Sequence, residues 1–596
     1  MSRAKKGTGG YILLAAAVIL LFAVLELGKH TWLGWILGIF AAAGFVYLKK
    51  KVLAGRGAGI RLLGWAGFFC VWALIFWISW PPVKAVPAVD VPHPRVTSVV
   101  HVEQGDLTGV YTKDEKVEVY AGIPYAAPPV GDLRWREPQP APSWDGVLAA
   151  DHFGPMSMQT VNVPLYESLY HLIGFHEYTF SARDDYRPPV SEDSLYLNIW
   201  KPAGDVSGLP VLVYIHGGSL ETGQPWYKDY SGEGLAREGV IVVNMAYRLG
   251  IFGFYADPEL AAESPEGTTG NYGLLDQIAA LKWVQENIAA FGGDPDNVTL
   301  AGESAGSACV SALCTSPLAA GLFRQVIAES STVTAPVPAH SFRKLEDAYK
   351  AADKTKAKYN ASGIADMRAL PAEKIVGELS AHHHMTVDGY VLTETPYESY
   401  AKGIHNEKAQ LHGYNRDEGA PFILFSQANL KNYESRIRRF FKEPYADKVL
   451  ALYPASTDEE ARRNWAEIYS VIFFTYGHYC LERQAIANDI PVYVYHFVKQ
   501  NGRLSAWHSG EEIYLYHNIP AGSRLFDDTD RALSDVFAAY VLNFMKNGDP
   551  NGEGLPEWHS GTASTVMELG DEVKETPAPY LELNAILDEM YGFTTP

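Results

Sequence analysis

Three long apolar runs, Tyr11–Leu27, Trp32–Leu48 and Leu62–Trp80, fill the first 80 residues, and none contains Lys or Arg. Each is near the minimum of about 17 residues that carries a helix across the hydrocarbon core of a bilayer. Basic side chains are costly at the bilayer centre, and the one acid, Glu26, stands at the end of the first run, where it reaches the interface. The alternative, a cleaved signal peptide at Met1–Leu27 followed by buried core helices, is disfavoured by the two further apolar runs with cations between them. The expectation is a membrane anchor of three transmembrane helices over residues 1–80.

Charge sets its orientation. Arg3, Lys5 and Lys6 precede the first run, only Lys29 stands in the first turn, and Lys49, Lys50, Lys51, Arg56 and Arg61 fill the second connection. Basic flanks are retained on the cytoplasmic side. The amino terminus is therefore expected inside and everything after Trp80 outside. Residues 81–97 begin with the proline-rich PPVKAVPAVDVPHPR, which reads as a stiff, extended spacer. Trp77 and Trp80 at its start suit an interfacial belt.

The rest of the chain is a different physical object. The 596 residues carry 49 basic and 69 acidic side chains, a net charge of −20. Residues 1–61 hold nine basic groups and one acid, so the anchor is +8 and the remainder −28. That acidity argues against general nucleic-acid binding, which needs a basic face. Four cysteines exclude a disulfide-built scaffold. Beyond residue 98, short β-rich runs alternate with helical stretches. They are Pro210–His216, Val240–Tyr247, the helical Leu274–Ala290, Asn297–Gly302, Arg324–Ser330, Lys408–Tyr414 and Pro491–Val498. Near-continuous apolar strands separated by helices are the pattern of a parallel sheet covered on both faces. No repeat or second proline-rich break divides residues 98–596, so one large α/β domain is expected.

Within it, Gly302-Glu303-Ser304-Ala305-Gly306 lies between an expected strand and an expected helix. That context suits a nucleophile elbow, where small neighbours are needed because a Cβ at Gly302 or Gly306 would strike flanking backbone. A second element, His216-Gly217-Gly218-Ser219, follows an apolar strand, where glycines let backbone N–H groups approach a developing oxyanion.

These motifs resemble the type B carboxylesterases, the carboxylesterase/cholinesterase group of α/β-hydrolases. The resemblance runs from about residue 98 to the end. It is carried by AGIPYAAPPVGDLRW (Ala121–Trp135), SEDSLYLNIWKP (Ser191–Pro202), VYIHGGSLETG (Val213–Gly223), YRLGIFGF (Tyr247–Phe254), the stretch Asn271–Gly306, and NGDPNGEGLPEW (Asn547–Trp558). It implies an α/β-hydrolase fold behind the anchor, no cofactor or metal, and a small-molecule ester substrate. Ser304 matches the family's nucleophile. GYNRDEG (Gly413–Gly419) resembles the acid loop with Glu418 in the acid position, and neighbouring Asp417 is read as a solvated or loop-bonding residue. AWHSGEEIYLY (Ala506–Tyr516) resembles the segment of the base, expected after the last strand, and gives His508. The order Ser, Glu, His is the α/β-hydrolase order.

The oxyanion donors implied are the backbone N–H groups of Gly218, Ser219 and Ala305, with Ser219 standing where relatives have glycine. Ser330 is implied as a buried hydroxyl supporting the triad, although Ser331 replaces the relatives' glycine. Ser157 and Ser194 occupy positions at which many relatives carry a cysteine pair. Cys309, Cys314 and Cys480 read as buried thiols, with a bridge from Cys309 or Cys314 to Cys480 as the alternative. An exported domain lacking the secretory disulfide hints at a bacterial plasma-membrane protein with an extracytoplasmic body. His382-His383-His384 reads as structural, because adjacent side chains diverge and share one ion poorly. The tract 161–189, with His171 and His176, is expected at the gorge rim. The expected function is ester hydrolysis by a membrane-anchored serine enzyme, or a lipase or thioesterase variant of the same site. The rival is a catalytically silent cell-surface adhesion module, which relatives without the serine exemplify.

Overall fold

The computed structural model describes residues 5–161, 163–173, 186–335, 342–378, 384–500 and 505–593. Its contacts divide into two compact units, residues 1–85 with 161–189, and residues 86–160 with 190–596.

In the first unit the three apolar runs form helices α1 (Lys5–Leu27), α2 (Trp32–Lys51) and α3 (Ala58–Ile78). All three are long and apolar enough to cross a membrane. They pack through Leu14, Leu25, Phe45, Phe68, Trp72 and Ile75. Small residues let the helices approach closely. A Cβ on Gly38 would lie 2.7 Å from the Trp72 ring, and one on Gly34 would lie 2.6 Å from Ser79 Oγ. Ile19, Phe40, Leu63 and Trp77 point outward and are left exposed by protein. Helix α4 (Pro164–Ile173) contacts α1, and Ser168 Oγ donates to the carbonyl of Leu27 at 2.8 Å. The tract 161–189, expected at a gorge rim, thus clusters with the N-terminal helices. His176 lies outside the described residues, as does the side chain of His171.

The second unit is built on an eleven-stranded sheet. Its strands are β1 (Val110–Tyr111), β2 (Val117–Pro124), β3 (Tyr196–Pro202), β4 (Leu209–Ile215), β5 (Ile241–Met245), β6 (Gly293–Glu303), β7 (Gln325–Glu329), β8 (Gln410–Asn415), β9 (Val492–Phe497), β10 (Thr565–Leu569) and β11 (Val573–Pro577). The order across the sheet is β11-β10-β9-β8-β7-β6-β4-β5-β3-β2-β1. The seven strands from β5 to β10 in this order are parallel. Antiparallel pairs close both ends. The parallel strands are apolar on both faces because both are covered. On β4, Val211, Val213 and Ile215 join one core with helices α5 (Tyr272–Asn287) and α6 (Ala305–Leu313), while Leu212 and Tyr214 join another with α7 (Asp528–Asn547).

The strands expected from apolar runs are present, each within a few residues of its expected limits. β9, however, is not the last strand, because the hairpin β10–β11 follows His508 in the chain and extends the sheet. β2 and β3, the antiparallel flanking strands, are less apparent from sequence because Glu118, Asn198 and Lys201 interrupt their apolar runs although all three are buried. Residues 86–97 lie along this flank: the Ala88 N–H donates to Asp151 O at 2.9 Å, the Tyr111 N–H to Arg95 O at 2.9 Å, and Val89 is buried beside Val117 and Trp200. Cys309, Cys314 and Cys480 are buried and unbridged. Ser157 and Ser194 are also buried and hydrogen-bond Oγ to Oγ at 3.0 Å.

Candidate active site

The turn from β6 into α6 sets the site. Ser304 has φ 53° and ψ −122°, a conformation that costs a non-glycine residue of the order of 1–3 kcal/mol and is kept only where surrounding packing enforces it. The enforcement is visible. A Cβ on Gly306 would lie 2.0 Å from Ile215 O, and one on Gly302 would lie 2.6 Å from the Gly306 carbonyl carbon. Only glycine permits β4, β6 and α6 to meet here, and their meeting lifts the Ser304 hydroxyl out of the turn.

His508 Nε2 lies 2.8 Å from Ser304 Oγ, and His508 Nδ1 lies 2.6 Å from Glu418 Oε2. With Nδ1–H donating to the carboxylate, Nε2 is left to accept the serine proton. The three residues come from the ends of β6 and β8 and from the loop after β9, separated by up to 204 positions. Glu418 is fully buried, and its Oε1 accepts the Asn415 N–H at 2.7 Å. Burial pushes the Glu418 carboxyl up, opposed by the Asn415 amide and the Ser330 hydroxyl. Burial pushes His508 down to about 4, so its imidazole is neutral at pH 7. Asp417 instead accepts from Arg416 Nη2 at 2.9 Å and stays out of this chain.

Four neighbours, Glu303, Glu511, Phe422 and Phe474, were not singled out by sequence, whereas Ser330 was. Glu303 Oε1 lies 3.2 Å from His508 Nε2 and accepts the Ser509 hydroxyl at 2.6 Å. It faces the ring edge where a proton would arrive. Ser330 is fully buried, and its Oγ donates to Glu511 Oε1 at 2.7 Å. The Asn415 side chain donates to the other Glu511 oxygen. Burial, reinforced by the Glu418 charge, pushes Glu511 up to about 7. The only available signal for Glu511 was its place three residues after His508. Phe474 and Phe422 lie 4.6 Å and 5.2 Å from the His508 ring, centroid to centroid, and form an apolar wall.

The glycine loop after β4 approaches the same point. A Cβ on Gly217 would come 3.0 Å from Ser304 Cβ, and one on Gly218 would lie 2.2 Å from Thr222 O. Gly218 has φ +102°, and Ser219 shares the left-handed region at φ 58°. The N–H groups of Gly218 and Ser219 donate to no backbone carbonyl among the described residues. Ala305 opens α6, where an N–H has no acceptor within the helix. His216 stacks on Tyr247 with centroids 4.6 Å apart, and the Tyr247 hydroxyl donates to His216 O at 3.0 Å, which braces the loop. His382 and His383 lie outside the described residues.

Comparison with known proteins identifies the family. The model of the carboxylesterase family matches residues 96–583. The chain is 33% identical to fumonisin B1 esterase of Sphingopyxis macrogoltabida, over 84% of this chain and 91% of that protein. It is 33% identical to carboxylesterase 1C of Rattus norvegicus, over 78% and 88%. Against para-nitrobenzyl esterase of Bacillus subtilis (strain 168) the identity is 31%, over 79% and 94%. A solved PNB esterase structure, an α/β-hydrolase, superposes with a TM-score of 0.69 at 29% identity, covering 82% of this chain and 99% of that one. Fold, sequence and matched length together show that this chain is an ester-hydrolysing α/β-hydrolase and belongs to the carboxylesterase family.

Proposed function

We propose that the chain is a membrane-anchored serine carboxylic ester hydrolase with Ser304 as nucleophile, His508 as general base and Glu418 as the carboxylate that orients the imidazole. The observation that carries this reading is the unbroken hydrogen-bonded run from Ser304 Oγ through His508 to Glu418, set on a strained turn. His508 Nε2 takes the hydroxyl proton as Ser304 Oγ attacks the ester carbonyl carbon. The oxyanion that forms accepts from the N–H groups of Gly218, Ser219 and Ala305, each worth a factor of about 10²–10³ in rate. Collapse expels the alcohol, which takes its proton from the imidazolium. Water then attacks the acyl-enzyme by the same route and releases the acid. No cofactor is required.

Glu303 stands beside Nε2 and favours the imidazolium once it forms. Ser330 acts through Glu511 as a positioning residue. The Phe422–Phe474 wall suits an apolar portion of a small-molecule ester. Helices α1–α3 span the bilayer with the amino terminus cytoplasmic, residues 81–97 connect, and the catalytic residues within 98–596 work outside the cytoplasm.

A fluorophosphonate probe should label the chain stoichiometrically at Ser304, and Ser304→Ala should cut kcat towards a p-nitrophenyl ester by on the order of 10⁶. A well-folded chain that takes no label would instead be a binding or adhesion module. Protease added to intact cells should digest the catalytic body, and full protection would refute the outward topology.

A further inference from the structure

Residues 161–189 interrupt the catalytic sequence yet cluster with the N-terminal helices. We propose that α4 is a membrane-interface element, lying in the lipid headgroup layer with its Tyr166–Leu169 side against lipid. The proposal rests on the reading of α1–α3 as transmembrane.

Depth is the first argument. Leu27 is the last residue of α1, and its carbonyl accepts the Ser168 hydroxyl from the buried side of α4. A helix tied to that carbonyl lies where the first span leaves the hydrocarbon. The ends of the spans meet at this level, because the Thr31 N–H donates to Ser79 O at 2.9 Å, just beyond α3. The far end of the insertion returns to the same level. The Arg187 N–H donates to Pro82 O at 2.8 Å, and the Lys84 N–H to Arg187 O at 3.0 Å. Both ends are therefore pinned beside the mouths of the spans.

Chemistry is the second. Tyr166 and Leu169 lie three residues apart on α4 and Val163 immediately precedes the helix; they are 44%, 46% and 51% exposed by protein. Side chains of that size are stabilised by leaving water for an apolar medium, so water is the poorer neighbour. Trp77 and Trp80, also exposed, mark the same level at the end of α3. Aromatic rings concentrate at this boundary. The guanidinium of Arg187 lies 5.7 Å from the Trp80 ring and Lys84 Nζ lies 5.7 Å from the Tyr186 ring, a cationic fringe suited to anionic headgroups. An apolar side, an aromatic belt and a basic fringe at one depth fit a lipid surface, while a protein partner would have no reason to follow the ends of the spans.

The test uses the full chain reconstituted in phosphatidylcholine–phosphatidylglycerol vesicles. In a Cys70→Ser background, a bimane label is placed at Leu169→Cys, at Val163→Cys and, within α1, at Ile19→Cys. Nitroxide lipids carry the quencher either near the acyl carbonyl or at mid-chain. Retained ester hydrolysis reports folding, and Val163→Cys stands in where the Leu169 label disturbs it. The α4 label should be quenched at least about twofold more by the shallow nitroxide, as expected for a helix buried about 5–10 Å into the boundary, and the Ile19 label should show the reverse order. An unquenched α4 label beside a quenched Ile19 label would mean that α4 faces water or protein, and would overturn the proposal. Stronger quenching of α4 from mid-chain would overturn it as well. An unquenched Ile19 label would overturn the anchoring reading beneath it.

Discussion

The buried Ser157–Ser194 hydrogen bond lies in the catalytic unit and joins the chain on either side of residues 161–189. Met156–Ser157 pairs in parallel with Val190–Ser191, which brings the chain three residues before Ser194 alongside Ser157, and the two hydroxyls lie 3.0 Å apart. The double variant Ser157→Cys/Ser194→Cys should therefore oxidise without rearrangement. The bridge would close a loop across 37 positions. Chain-entropy loss from the unfolded state then predicts a stabilisation of about 4 kcal/mol. Reduced, the same variant loses the buried hydroxyl pair and should be about 1 kcal/mol less stable than the parent. The assay is the urea midpoint for loss of ester hydrolysis, with and without reductant, alongside a thiol titration. The oxidised midpoint should rise above the parent and the reduced midpoint should fall below it. Thiols that persist under oxidant, or a bridge that forms and leaves the midpoint unmoved or lower, would refute the inference that this pair is preset for a crosslink.

Burial holds His508 near 4, and the neutral imidazole is the base, so activity is lost only as pH falls through that depressed value. The acid limb of the kcat/KM profile should lie below 6.5, and a limb at or above 6.5 would contradict the buried site. Glu418→Gln keeps the shape of the loop and removes the charge beside His508 Nδ1, and should lower kcat by about 10⁴ on a p-nitrophenyl ester. A loss below about tenfold would exclude Glu418 as the orienting carboxylate. Arg248 holds Asp276 through Nη2 at 2.7 Å and Nε at 2.8 Å, with both side chains buried. Asp276→Ala strands that guanidinium and should cost about 3–5 kcal/mol in the urea midpoint, whereas a cost under about 1 kcal/mol would mean that the pair is not structurally important.

Much was readable before any tertiary contact was known. The three apolar runs became α1–α3 because length and apolarity are local properties of a helix. The turn at Ser304 was readable because the steric demand for Gly302 and Gly306 is written into five consecutive residues, and the collisions at 2.6 Å and 2.0 Å are those that the motif implies. Glu418 and His508 were reached through resemblance, since nothing local separates Glu418 from Asp417. Their difference is one of direction: one side chain enters the core toward His508 and the other pairs with Arg416.

By itself, then, the sequence determined what depends on short stretches: the apolar helices, the parallel apolar strands, the glycine loop after β4 and the elbow at Ser304. Only the tertiary structure decided what depends on register between distant segments. It brought Glu511 to Ser330 across 181 positions and Glu303 to the His508 ring, and it joined Ser157 to Ser194 by a hydrogen bond. It also grouped residues 161–189 with the N-terminal helices, although their sequence lies inside the catalytic body. The physical reason is the same throughout. Backbone propensity and hydrophobic period act over a few residues, whereas the pairing of buried polar groups is settled by which strands and helices pack together, and no local pattern records that.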